Sequence, residues 1–359
     1  MIRNNFVHSE ASNRPSECAT DHRGRMSRNR PDVVRLSGPG DLVATIPHLF
    51  GFVPTESVVL LGLHGPRKRI NLTLRLDLCS PAHDHVVAED LARRVRCSEP
   101  DAVQIVVLTE AADDGGLPRR ALVSELGAAT ALPVIDALLV RAGRWWSYLC
   151  QDPTCCPQSG TPVNPESDGA TAMAAAHAML GRSVLPDRAA VVRSVAAPRG
   201  IAALSAEQAL TRACDRVHSA GTDDWKAEAL SLVRDLVERY AAPRVAVRAD
   251  DAALIVMACH DIATRDEILG MDLDDEAEDQ LLRLMRDCVR RALPPFDAPV
   301  CATYAWLAYA AGEGVLASAA VERSIATNPS LSLARLIEDA ITQQVHPRLL
   351  RQAARRPAG

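Results

Sequence analysis

Between residues 57 and 149, apolar and polar positions alternate between two rhythms. Residues 57–63 (SVVLLGL) form a short unbroken apolar run, the pattern of a strand covered on both faces. Residues 64–69 (HGPRKR) join Gly-Pro to charge and read as a turn. Over 70–78 the chain alternates strictly. Ile70, Leu72, Leu74, Leu76 and Leu78 point one way, and Asn71, Thr73, Arg75 and Asp77 the other. The two runs predict a hairpin. Val87, Leu91 and Val95 recur at helical spacing and predict a helix over 84–96. A buried strand is expected at 102–109, and a second helix at 119–130 with Leu122, Leu126 and Ala129 on one face. Pro133 ends that helix and a strand follows at 134–140. The turn Arg141-Ala142-Gly143-Arg144 leads to a last strand at 145–149. The order β-β-α-β-α-β-β predicts an α/β domain over 33–149: a mostly parallel or mixed sheet with flanking hairpins, and helices on at least one face.

The rhythm then changes. Residues 150–169 are rich in Cys, Pro, Gly and Ser and read as a connecting loop. From 170 to 345 the periodicity is helical throughout, which predicts an all-α domain. Its segments are 171–180, 205–219 (Ser205 and Gln208 at capping-box spacing), 224–240, 250–264, 274–293 and 298–311. Within 298–330, Ala305, Gly312, Ala317 and Pro329 fall where a tetratricopeptide unit of about 34 residues places small residues, a turn glycine and a closing proline. A tetratricopeptide-like helix pair is therefore expected at the end of the domain. Residues 1–32 and 346–359 have too few large apolar side chains to offset ordering entropy. They are expected to be a disordered arm and tail.

Composition narrows the classes. The chain has 359 residues, 48% of them apolar and 24% charged, enough for a sizeable core, with no stretch approaching the roughly 20 apolar residues of a membrane span. A net charge of −5 argues against a protein built around nucleic-acid backbones. All but two of the 40 basic residues (Lys68 and Lys226) are Arg, which fits GC-rich codon usage. The polar start shows no apolar core of a secretory signal. Ten cysteines in so long a chain are expected as free thiols in a reducing cytoplasm, with Cys79, Cys214, Cys259 and Cys288 as small core residues.

Candidate chemistry concentrates at one place. The chain holds four Trp and four Tyr, and Trp145, Trp146 and Tyr148 fall within four residues, followed by Cys150, Cys155 and Cys156. Tryptophan and tyrosine suit a pocket wall or an interface anchor. The C-x4-C-C spacing offers three thiols for zinc, with His177 or His64 as distant sources of a fourth ligand. A redox or nucleophilic thiol and a packed loop of reduced cysteines are the alternatives. Arg75, Asp77 and Asp136 lie on expected strands, and Arg144 begins another. Roofed by the 150–169 loop, they would form a polar pocket beside the aromatics; cross-strand ion pairs on a solvated face are the plainer reading. Asp41, after Gly38-Pro39-Gly40, is expected to cap a helix over 42–49. His83 and His85 are expected to face solvent. His260-Asp261 and Arg265-Asp266 are expected to form a local ion-pair network at a helix end.

Four segments carry a family resemblance: SGPGDLVATIPHLFGFVPTES (37–57), RWWSYLCQDPTCCPQSGTPV (144–163), GRSVLP (181–186) and the C-terminal WLAYAAGEGVLASAAVERSIATNPSLSLARLI. On these the chain resembles the family catalogued as domain of unknown function 4192, from about residue 35 to about 345. The resemblance implies an α/β first part and a helical second part, and brings no established activity with it. Two functional classes follow. One is a protein- or ligand-interaction module without catalytic activity, engaging a protein or peptide through the helical domain. The other is an enzyme with its site between the two domains, near the Trp/Cys cluster.

Overall fold

The computed structural model describes residues 2–4, 34–112, 116–179, 182–219, 224–242, 245–345, 347 and 349–350. The expected arm at 1–32, apart from residues 2–4, and almost all of the expected tail at 346–359 lie outside the described residues. Among the described residues, no helix is long and apolar enough to cross a membrane. The chain divides into two compact units, Met1–Val184 and Leu185–Gly359.

The first unit is built on strands β1 (Ile2–Asn4), β2 (Val34–Leu36), β3 (Ser57–His64), β4 (Arg69–Asp77), β5 (Ala102–Leu108), β6 (Val134–Arg141), β7 (Arg144–Ser147) and β8 (Thr161–Pro162). They form one sheet in the order β2-β1-β4-β3-β5-β6-β7-β8. It is a mixed sheet. β5 and β6 are parallel across a βαβ crossover and β1 joins β4 in parallel, while β3 is antiparallel to both β4 and β5. The expected crossover is thus present, but the first hairpin inserts β3 beside β5 in the opposite sense.

Helices α1 (Pro39–Phe50) and α4 (Asp168–Met179) cover one face, and α2 (Asp84–Arg96) and α3 (Arg120–Thr130) the other. Val59, Leu61 and Val106 face Leu42, Ile46 and Met173; Val58, Leu60, Ile105 and Val107 face Leu91, Leu122 and Leu126. Burial on both faces explains why β3 and β5 read as unbroken apolar runs. The alternation of β4 holds for Leu72, Leu74, Leu76 and Leu78. Ile70 departs from it: a register shift at Gly62/Leu63 turns Ile70 into the opposite core.

Two local expectations are corrected. Helix α1 begins at Pro39, whose fixed φ suits a first helical position, so Asp41 lies inside the first turn rather than capping it. Its carboxylate reaches back to accept from the Ser37 amide at 2.7 Å. Burial opposes its ionisation, but bonds from Ser167 and Ser37 prevail and hold it below the usual carboxylate range. Cys79, expected in the core, is exposed. His83 and His85 are exposed, as expected.

The second unit is helical: α5 (Arg188–Ser194), α6 (Ile201–Ser219), α7 (Asp224–Arg239), α8 (Ala249–Ala258), α9 (Ile262–Leu269), α10 (Asp275–Val289), α11 (Asp297–Ala310), α12 (Gly314–Thr327) and α13 (Ser332–Thr342). The segment expected as one helix over 250–264 is two, because Asp261 accepts from the Thr264 amide and starts α9 afresh. Asp261 also pairs with Lys226 at 2.9 Å, so the expected network there extends to α7. Helix α4, read from the sequence as the start of the helical block, lies in the first unit. The α11–α12 hairpin buries Ala305 and Ala317, and Tyr304 is fully enclosed. At its base Arg323 pairs with the buried Asp297 at 2.9 Å and donates to the Val195, Val289 and Ala292 carbonyls.

Candidate metal and binding site around the thiol loop

The β6–β7 hairpin turns through Ala142 (φ 48) and Gly143 (φ 70), the left-handed pair of a two-residue loop that matches strand twist. Its far strand then pairs with β8, Trp145 opposite Thr161, and Val163 N donates to the Gly143 carbonyl at 2.9 Å. Residues 148–160 are therefore a closed excursion from the sheet edge, tied at its neck by strand pairing.

Side chains of β7 hold the excursion in shape. Arg144 donates from Nε to the Ser159 carbonyl at 2.7 Å and from Nη2 to the Gly160 carbonyl at 3.0 Å. Trp146 Nε1 donates to the Gln158 carbonyl at 3.0 Å. Gly160 (φ 73) lies flat on the Trp146 ring, where a Cβ would stand 2.4 Å from it, so only glycine fits. The Arg141 guanidinium sits 5.3 Å from the same ring. At the start of the loop Ser147 Oγ accepts from the Leu149 and Cys150 amides, each at 3.1 Å, and donates to Asp136 Oδ1 at 2.7 Å. In the middle Asp152 organises a turn. Its carboxylate accepts from Thr154 N and Oγ1, and its carbonyl accepts from the Cys155 and Cys156 amides at 3.2 and 2.7 Å.

This turn brings the three thiols together. The Sγ atoms of Cys150, Cys155 and Cys156 all lie within 4.8 Å of one another, with Cys155 exposed and the other two half-buried. Adjacent cysteines usually diverge; here the Asp152 turn folds 155 and 156 back toward 150. All three are free thiols. Burial, and then the neighbouring Cys150 and Cys155 sulfurs, push the Cys156 thiol up to about 12. Cys156 also packs beside the α1/α4 core.

The other residues singled out in the sequence separate into distinct roles. Trp145 points to the α1 side, its Nε1 3.4 Å from where a Cβ on Gly40 would be. Tyr148 points to the α2/α3 side and donates to the Pro118 carbonyl at 2.5 Å, with Arg120 5.8 Å from its ring. Arg75 pairs with Asp77 and stacks 5.3 Å from Phe52. These two do not meet Asp136. Asp77 on β4 and Asp136 on β6 are three strand steps apart, about 14 Å at ~4.8 Å per step, and are offset along the strands as well. Neither distant histidine reaches the thiols as a ligand. His64 Nε2 bonds to the Ser98 carbonyl at 2.9 Å, and His177 stacks edge-on against His48 at 5.6 Å. Burial, then the Arg182 and His48 charges, push His177 down to about 4.

Sequence reasoning missed a polar group at the carboxyl ends of β4, β5 and β6, the end at which open α/β sheets bind ligands. Glu56, held at φ 40, accepts from Thr109 Oγ1 and Glu110 N, each at 2.8 Å, and Glu110 accepts from Ala142 N at 3.0 Å. Asp84, at the start of α2, is buried and pairs with the half-buried Arg119. Burial raises the Asp84 pKa against the opposing Arg119 charge. Their 35-residue separation leaves no local sequence signal.

A family model described as "Domain of unknown function (DUF4192)" matches residues 39–348, and the chain belongs to that family. No curated protein and no solved structure matches it.

Proposed function

We propose that this member of the DUF4192 family is a protein-interaction module without catalytic activity, engaging its partner through the helical unit. The observation that carries the reading is on α6. Ile201 and Leu204, three positions apart and so adjacent on the helix surface, are 87% and 60% exposed. Large apolar side chains displayed side by side mark an interaction site more often than an ordinary surface. The α11–α12 hairpin, with Ala305 and Ala317 buried, supports a tetratricopeptide-like scaffold elsewhere in the same unit. The first unit fits the same reading. Arg144, Trp146 and Tyr148 each hold backbone in place, and Asp136 accepts from the Ser147 hydroxyl that caps the loop's start, so these side chains act as structural ties for a displayed loop.

The test compares affinity purification by the full chain and by the I201D/L204D double variant from lysate of the cell that makes it. Thermal unfolding of both is run alongside. A partner retained by the parent and lost from an equally stable variant is the expected result. Identical capture profiles would overturn the reading. So would turnover of a metabolite in extract that depends on Asp136 or Arg144.

A further inference from the structure

We propose that Cys150, Cys155 and Cys156 form a three-thiolate zinc site with its fourth position open to a non-protein donor. This inference stands apart from the reading of the helical unit, since it rests on the sheet-edge loop alone.

Three features carry it. First, three soft donors converge. Tetrahedral zinc with Zn–S bonds of about 2.3 Å needs sulfurs roughly 3.8 Å apart, so sulfurs already within 4.8 Å need close by only about 1 Å. Second, the convergence is built by the fold. The Asp152 turn sets Cys155 and Cys156, the Ser147 hydroxyl fixes the Cys150 amide, and Arg144, Trp146 and Gly160 hold the returning strand. Such outer contacts orient ligands before an ion arrives. Third, the site suits a thiophilic cation. One sulfur is exposed as an entry point and two are half-buried, so an ion can enter from water and still be partly enclosed by soft donors.

Loading is balanced as Zn²⁺ plus three thiols giving a zinc tris-thiolate and three protons released to solvent, with no oxidation or reduction. The centre then carries one net negative charge. Among the described residues, the grouped metal-ligating atoms are these three sulfurs, so water takes the fourth position in the free protein. An open position makes the loop a binding centre for a small soft donor rather than a closed staple.

The test uses the full chain, purified under reducing conditions without air, stripped with chelator and titrated with Co²⁺ and then Zn²⁺. The expected result is one Co²⁺ per chain, with intense tetrahedral visible bands and near-ultraviolet sulfur-to-metal charge transfer, both erased by one equivalent of zinc. C155S and C156S should weaken binding roughly a hundredfold or more, since loss of even an outer partner costs about 10–100-fold. C97S, at an exposed cysteine elsewhere in the first unit, should leave binding unchanged. Circular dichroism checks that each variant folds, and the titration of the unaltered chain decides the question even where one does not. No tetrahedral cobalt spectrum, unchanged affinity in C155S or C156S, or a disulfide joining Cys150 to Cys155 or Cys156 in the air-free protein would each overturn the proposal.

Discussion

The two units each hold a set of three cysteines, and the sets live under opposite conditions. Cys150, Cys155 and Cys156 sit on a loop, partly open to water, with their sulfurs grouped. Cys259, Cys288 and Cys301 sit in the helical core, fully buried, near enough for the Cys259 charge to be felt by the other two. Burial pushes Cys259 and Cys301 up to about 12 and raises Cys288 well above the ordinary thiol value. The same side chain is thus a small apolar filler in one place and a cluster of donors in the other. Burial alone does not separate them, because Cys156 is pushed up as well. What differs is access: one set has an exposed sulfur and a backbone turn that aims its members at one another, and the other is enclosed by Thr303, Arg323 and apolar side chains.

The contrast can be broken from the core side first. Arg323→Ala removes the cationic partner of the buried Asp297 carboxylate and one donor each from the Val195, Val289 and Ala292 carbonyls. It should cost about 3–5 kcal/mol in urea unfolding. A loss below about 1 kcal/mol would show that apolar packing alone holds this unit. On the loop side, Gly160→Ala combines a left-handed φ with a collision against the Trp146 ring. It should cost about 2–3 kcal/mol and shift the tryptophan fluorescence. An unchanged melting curve there would mean that the loop is not pinned as described. Next, Cys288→Ser places a hydroxyl in an apolar site and should cost about 1–3 kcal/mol, whereas Cys155→Ser in metal-free protein should stay within about 0.5 kcal/mol. Alkylation of the native protein should accordingly reach Cys155 quickly and Cys288 only in denaturant.

A gentler effect separates the α1/α4 layer from both. His177 titrates at about 4 when folded against a usual 6.5, so protonation favours the unfolded chain. Its contribution is complete above about pH 6.5 and drains away as the pH falls toward 4. His177→Gln should flatten that part of the stability–pH curve. A curve parallel to the parent's would assign the acid loss to other groups.

Much of the fold was legible because each element had to bury an apolar face. Helix α2 matches its expected 84–96 span, and the strands from β3 to β7 fall within a few positions of the runs that announced them. What escaped depended on long-range pairing. No periodicity shows that β3 inserts antiparallel to β5, that a bulge sends Ile70 to the other core, or that Asp84 meets Arg119. The thiol cluster was visible as spacing, but its convergence was not. That needs the Asp152 carbonyl to collect two successive amides, a turn detail with no signature in C-x4-C-C. Arg75, Asp77 and Asp136 looked alike as charges on strands, and only strand order sets them apart.

The most direct measurement is zinc K-edge X-ray absorption on the reduced, zinc-loaded full chain. A first shell of three sulfurs at about 2.3 Å and one lighter atom is expected. A shell of oxygen and nitrogen alone, or of four sulfurs, would contradict it.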